Sequence, residues 1–296
     1  MATAVSPRLP AAAARERDRR PFGRRVLEGV AEHALAVALS AAFVLPLLVC
    51  VVTSVMTQQQ AGTGELVPQP LHWGNFREVF EVMPFARDLW NTLLYAGLSA
   101  VGIVVSSVPV AYAVSRMRWR GRNAFFVVVL ATMMIPAQVT SLPLYVMYAH
   151  LGWIGTLKPL IVPAFFGDAF SIFLLRQFFL TIPEETIEAA RVDGASEYRI
   201  LRQIVVPMAR PALAAVGLFA FMFAWNDFYN PLLYSGNSAS GQTLAVGLAG
   251  LAKSAHQSAY QLQMAASLMF LLPVLLLFMS AQKVFIEGIA MSGSKG

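Results

Sequence analysis

Six stretches, at about 33–56, 90–114, 123–149, 156–180, 211–234 and 264–286, are long and apolar enough to cross a bilayer, and they limit this chain more than any other feature. A spanning helix needs about 20 apolar residues, and in lipid every backbone N–H and C=O must find its partner inside the protein. Runs of this length are helical rather than strand-like. The expected fold class is an all-α polytopic membrane protein with about six transmembrane helices. Apolar residues make up 57% of the chain and charged residues 13%, with a mean hydropathy of +0.61, values that exclude an ordinary soluble domain. The third and fourth runs are separated only by Leu151-Gly152-Trp153-Ile154-Gly155, which reads as a tight hairpin. Prolines 46, 109, 136, 143 and 273 lie inside runs, where neighbours or water can satisfy the freed carbonyls and the helices bend.

Charge sets the direction. The chain carries 22 Lys+Arg against 16 Asp+Glu, and the excess collects in short segments between apolar runs. That pattern points to membrane topology rather than to nucleic acid. Arg8, Arg15, Arg17, Arg19, Arg20, Arg24 and Arg25 precede the first run; Arg116, Arg118, Arg120 and Arg122 follow the second; Arg191, Arg199, Arg202 and Arg210 follow the fourth. The alternate loops hold few cations (Arg77, Arg87, Lys158 and Lys253). By the positive-inside rule both termini are expected in the cytoplasm. Residues 1–32, rich in Arg and Ala, read as a disordered cytoplasmic segment, 33–286 as the membrane domain and 287–296 as a cytoplasmic tail. No small-residue cleavage pattern precedes Thr57-Gln58-Gln59-Gln60, so the first run reads as an uncleaved span. Cys50 stands alone, and His33, His72, His150 and His256 lack metal-ligand spacing, so neither a disulfide framework nor a metal site is expected.

Between the fourth and fifth runs lies a polar loop, residues 181–210, where a membrane protein usually spends few residues. Thr181, Pro183 and Glu184 read as a helix start, with Thr181 as the cap. Asp193-Gly194 reads as the stop, since glycine takes the left-handed conformation that ends helices. A second helix from about Ser196 is expected to place Tyr198, Ile200, Leu201, Ile204 and Val205 on one apolar arc, opposite Arg199, Arg202 and Gln203. An amphipathic loop of this kind could simply lie on lipid headgroups. It could equally be a knob for a partner's groove.

The spacing separates these readings. Glu188-Ala189-Ala190, three residues, Gly194, nine residues, then Ile204-Val205-Val206-Pro207 resembles the EAA loop of ABC-importer permeases, with Val206 in the place of the usual Leu. Other residues resemble the carbohydrate-uptake branch, similar to maltose and glycerol-3-phosphate importer permeases. These are Asn91-Thr92-Leu93-Leu94, Ala111-Tyr112-Ala113-Val114-Ser115-Arg116, Ile135-Pro136, Ile182-Pro183-Glu184-Glu185, Phe223-Ala224-Trp225-Asn226-Asp227-Phe228 and the closing Gly293-Ser294-Lys295-Gly296. The resemblance implies a type I ABC-importer transmembrane fold, N-in and C-in, in a bacterial inner membrane. It also implies coupling to an ATPase through Glu188, Ala189, Ala190, Arg191, Asp193, Gly194, Tyr198, Ile204 and Pro207. The implied partners are a second homologous permease, an ABC ATPase dimer, an extracytoplasmic solute-binding protein and membrane lipid. ATP and Mg belong on the ATPase. This chain has no G-x-x-x-x-G-K-[ST] loop, and no cofactor or catalytic residue is expected in it.

Trp225, Asn226, Asp227 and Tyr229, with Asp168 in the fourth run, are the candidates for a substrate path, because amides and carboxylates bind hydroxyls and aromatic faces stack on sugar rings. The same residues also suit helix capping and an interfacial belt. Arg176 is expected to snorkel, and Gly97, Ala100, Gly102, Ser106 and Ser107 to let helices approach closely. A permease for a solute other than sugar is the open alternative. An ion-coupled secondary transporter would want charges mid-span, of which these runs are nearly free, or paired broken helices from an internal repeat, and no repeat of that kind is found.

Overall fold

The computed structural model describes residues 22–64, 67–235, 238, 240–254 and 259–293. They fall into two units, one ending at Val52 and the other beginning at Thr53. The first is helix α1, Phe22–Ser54, which runs on into the start of the second unit. Helix therefore begins some ten residues before the expected end of the disordered segment. Phe22, Val26 and Val30 recur every fourth residue among helix-forming Arg, Leu and Glu, a period the arginine count obscures. The arginines from Arg8 to Arg20 lie outside the described residues, as do Ser294-Lys295-Gly296.

The second unit opens with two short helices between the first and second apolar runs. Helix α2, Gln58–Thr63, is closed by a capping box in which Thr57 and Gln60 satisfy each other's backbone N–H, and it stops at left-handed Gly64. Helix α3, Asn75–Val82, is anchored by buried Asn75, whose Nδ2 donates to the carbonyls of Ser54 and Met56 at 2.8 Å each. Helix α4, Phe85–Ser115, is the long central element.

One of the expected spans is a bent pair. Helices α5, Arg122–Thr132, and α6, Ala137–His150, meet at 91°. Pro136 takes extended backbone at the break (ψ 133°), and a residue before proline avoids helical geometry, so the third run cannot continue straight. The fourth run is also interrupted. Helix α7, Lys158–Ile161, tightens into a 3-10 turn at Val162–Phe166, Gly167 breaks it at φ +99°, and α8, Ala169–Phe179, restarts behind Asp168. In the loop lie α9, Glu184–Val192, and α10, Glu197–Ile200; a π-turn at Leu201–Val205 then leads to α11, Val206–Met208. The chain turns by 80° into α12, Arg210–Asn226. After α13, Tyr229–Tyr234, comes α14, Leu244–Ser254, a short apolar helix absent from the sequence reading. Helix α15, Tyr260–Gly293, carries the sixth run through most of the expected tail.

Three buried clusters hold the second unit, and α4 contributes to all of them. The cluster at its C-terminal end joins Tyr112 and Val114 to Phe179 of α8, Ile187 of α9, Ile200 of α10 and Val216 of α12. Lipid is as apolar as leucine, so close fit rather than water exclusion must hold such helices together. Gly102 supplies that fit, since a Cβ there would lie 2.8 Å from the Phe165 ring. Ser106 donates to Ala164 O at 3.0 Å on the same face. Gly97, by contrast, has no such neighbour within 4 Å. Arg176 does not snorkel: its guanidinium lies 4.2 Å from the centre of the Phe126 ring and donates to Val114 O at 3.3 Å. A carbonyl and an aromatic face within reach replace the water it would otherwise seek.

Candidate functional site: the loop at the end of helix α4

The local sequence of loop 181–210 sets its shape. Helix α9 starts two residues later than the Thr181 cap predicts. Pro183 takes the cap position in extended backbone, and the Thr181 hydroxyl donates back to Phe178 O at 2.8 Å instead. The stop is as expected. Gly194 sits at φ +78° and donates to Arg191 O, while Ala195 donates to Ala190 O, both at 3.0 Å. That pair of bonds is a Schellman closure, which satisfies two carbonyls the helix would otherwise leave orphaned. Ser196 then caps α10 by accepting from Arg199 N at 3.3 Å.

The buried side of the loop is Ile187, Ile200 and Val205, with Ala190, Leu201 and Ile204 half-buried behind them. The outward side is Glu188, Ala189, Asp193, Gly194 and Pro207, together with Val192 at 86% exposure and Tyr198 at 71%. Tyr198 therefore leaves the apolar arc on which its spacing placed it. Helix α10 is one turn long, and the π-turn after it shifts the register, so a single 3.6-residue wheel does not describe residues 196–205. In that turn Val206 N donates to Leu201 O, five residues back.

Not every coupling candidate points outward. Arg191 donates to Glu197 Oε1 at 2.9 Å and to Arg116 O at 3.2 Å. Tyr112 donates to the other oxygen of Glu197. Arg116 donates to Phe179 O at 3.0 Å through Nε, and through Nη2 to the carbonyls of Phe179 and Ile182. Arg118 lies 3.4 Å from Glu184 and 3.6 Å from Glu188, an exposed pairing worth little by itself. The hydrogen bond from Arg191 holds the Glu197 carboxyl below its usual range, and Glu197 in turn raises the Arg191 guanidinium. A cleft of about 550 Å³ beside this network is lined by Met117, Arg118, Glu188, Arg191, Val192 and Glu197. Sequence reasoning passed over Tyr112, Arg116 and Glu197 as site residues. The signal was present: Tyr112 and Arg116 are four apart on one helix face, and Glu197 is the sole acid between Asp193 and Pro207.

The substrate-path candidates are scattered in their roles. Trp225 is fully buried, stacked between Phe221 and Phe270 with ring centres 5.6 and 5.1 Å away, so a solute does not reach its faces. Asp227 accepts from Tyr95 OH at 2.7 Å and from Asn230 Nδ2 at 2.9 Å, tying α13 to α4. Asp168 caps α8, accepting from Ser171 N at 2.8 Å and from its hydroxyl at 2.6 Å. Asn226 and Tyr229 are exposed; the first donates to Met222 O at 2.8 Å and the second to Ser141 Oγ at 3.2 Å. Among the described residues no group of three or more His, Cys, Asp or Glu is placed to hold a metal ion.

A helical membrane unit with bent spans and a structured polar loop before α12 is the type I ABC-importer transmembrane fold. A chain of the solved bacterial ABC transporter involved in import of the acidic polysaccharide alginate superposes with a TM-score of 0.75, covering 89% of this chain and 98% of that one at 24% identity. Residues 103–290 match the model of the binding-protein-dependent transport system inner membrane component, and the chain belongs to that family of permease subunits. It is 31% identical to the sn-glycerol-3-phosphate transport system permease protein UgpE of Pectobacterium atrosepticum, over 90% of this chain and 97% of that protein. It is 34% identical to the arabinooligosaccharides transport system permease protein AraQ of Halalkalibacterium halodurans, over 72% of this chain and 74% of that one.

Proposed function

We propose that this chain is one permease half of an ATP-driven, binding-protein-dependent importer of a sugar or sugar derivative, and that loop 181–210 is its coupling element. The observation that carries the reading is the shape of that loop. Ile187, Ile200 and Val205 root it in the protein, while Ala189, Val192, Asp193, Gly194 and Tyr198 are turned outward. A short helix with a small, partly apolar outer face suits a groove on another protein better than it suits water. By the cation distribution the loop faces the cytoplasm and meets a separate pair of ATPase subunits, where ATP and Mg are bound. A second, homologous permease completes the pathway, and an extracytoplasmic binding protein delivers the solute. The relatives named for sn-glycerol-3-phosphate and for arabinooligosaccharides support a polyhydroxylated substrate. Of the path candidates, Asn226 and Tyr229 are the exposed ones able to meet it, and Trp225, Asp227 and Asp168 serve to hold helices in place.

The test is reconstitution of the chain with its companion permease, ATPase and binding protein, measuring binding-protein-stimulated ATP hydrolysis across a panel of sugars, sugar phosphates and sn-glycerol-3-phosphate. Stimulation by one of these, lost when Val192→Asp puts a charge on the outer face, is the expected result. Stimulation only by a solute of another class would overturn the sugar assignment. Hydrolysis indifferent to the outer face of α9 would overturn the coupling assignment.

A further inference from the structure

Three elements meet the C-terminal end of α4 through polar bonds rather than through apolar packing alone. The end of α8 is held there by Arg116, which grips the carbonyls of Phe179 and Ile182. Helix α9 is held by Arg191, which donates to the Arg116 carbonyl. Helix α10 is held by Tyr112, which donates to Glu197. Glu197 is the common member, since one of its oxygens takes Arg191 at 2.9 Å and the other takes Tyr112. Its side chain is 39% exposed and that of Arg191 29%, so the pair lies between solvent and core. Hydrogen bonds to charged groups are stronger and shorter than neutral ones, and a carboxylate held at both oxygens has little freedom left.

The covalent route out of the loop is less direct. After α10 the backbone passes a π-turn, then Pro207, which donates no backbone hydrogen bond, then an 80° change of direction before α12. Along the backbone, a push on α9 meets these irregularities in sequence before it reaches α12. It reaches α4 through Arg191, Glu197 and Tyr112 with no irregular backbone between.

Resting on the coupling role of the loop, we infer that Glu197 is a positioning residue that locks the coupling helix to the inner end of α4, so that the ATPase stroke enters the membrane as a rigid-body push on α4. The lock stays closed through the transport cycle. Its partners define the mechanical unit: α9, α10, the end of α8 and the end of α4 move together, and α12 follows through the bend.

The experiment uses the full reconstituted importer and reads solute moved per ATP hydrolysed above the rate without binding protein, a ratio that a merely structural role does not shift, because ATPase freed from misfolded copies enters neither term. Glu197→Ala removes the charge-assisted hydrogen bonds from both Arg191 and Tyr112 and is expected to lower the ratio by more than about tenfold. Tyr112→Phe, which keeps the buried ring and removes only the one bond to the charged carboxylate, is expected to lower it about tenfold. If Glu197→Ala fails to assemble, Tyr112→Phe still decides. In a Cys50→Ala background, a Tyr112→Cys/Glu197→Cys pair bridged by a short bifunctional thiol reagent, sized to the reach of the two lost side chains, replaces the lock by a covalent tether and is expected to restore the ratio toward wild type. A cross-link that stops transport would show that the lock opens during the cycle, and an unchanged ratio in Glu197→Ala and Tyr112→Phe would show that it carries no stroke; either overturns the inference. A wild-type chain that never retains the ATPase is a different result, and it would sink the coupling reading on which the lock depends.

Discussion

Gly194 offers the sharpest test of how the coupling loop is shaped, because its backbone demand separates cleanly from its surroundings. It sits at φ +78°, and a Cβ added there would meet nothing within 4 Å. A side chain therefore costs only the left-handed conformation, about 1–2 kcal/mol for an ordinary L-residue and less for Asn, whose short amide bonds locally. The Schellman bonds of Gly194 to Arg191 O and Ala195 to Ala190 O depend on that conformation. A loss of 1–2 kcal/mol raises the open fraction of the closure about 5–30-fold. Hydrogen exchange at the amides of residues 194 and 195 in lipid nanodiscs reads that fraction directly. The expected order of exchange is Gly slowest, then Gly194→Asn, Gly194→Ala and Gly194→Val. Binding-protein-stimulated ATP hydrolysis should fall in the same order, as the outer face of α9 loses its fixed end. Equal exchange in wild type and Gly194→Val would refute the reasoning, since it would mean the stop is not set by the glycine.

Four further outcomes follow from the geometry. Gly241→Ala puts a Cβ 2.6 Å from the Ser235 Cβ and 3.0 Å from the Gly155 carbonyl oxygen, and should cost about 1–3 kcal/mol in thermal or denaturant unfolding. Gly97→Ala, in open space on α4, should be neutral or stabilise by about 0.5–1 kcal/mol in the same assay. Trp225→Phe should leave the apparent affinity for solute unchanged, because the ring is enclosed by Phe221 and Phe270; a large rise in KM would return Trp225 to the substrate path. The Glu197 carboxyl is depressed on folding, so its contribution is present above the unfolded value of about 4.3 and is lost as pH falls through the lower folded value. Exchange at residues 191–197 should accordingly be flat from neutral pH down to about 4.3, after correction for intrinsic rates, and rise only below it.

How much of this was legible in the sequence depended on how local each feature is. The stop at Asp193-Gly194 and the Ser196 cap are decided within a few residues, and both were readable from the chain. The start of α9 was misplaced because Thr181 and Pro183 compete for one role, and the Thr181 hydroxyl had a nearer acceptor in Phe178 O. Length and hydropathy found the apolar runs but could not tell a straight span from a bent one. Five prolines marked where helices could bend, yet Pro46, Pro109, Pro143 and Pro273 lie inside continuous helices, and which proline becomes a 91° break depends on what neighbouring helices supply to the freed backbone. The lock itself joins residues 75 and 85 apart, Arg191 to Arg116 and Glu197 to Tyr112, and no periodicity connects them. The same distinction accounts for the substrate path. Asp227 and Asp168 carry the right chemistry for hydroxyl groups, yet each is already committed to a helix end in its own chain. A polar residue near a span end is claimed first by the orphan N–H groups beside it, because in lipid those groups have no water to turn to. Polar groups left over after that demand, such as the exposed Asn226 and Tyr229, are where a search for the solute should begin.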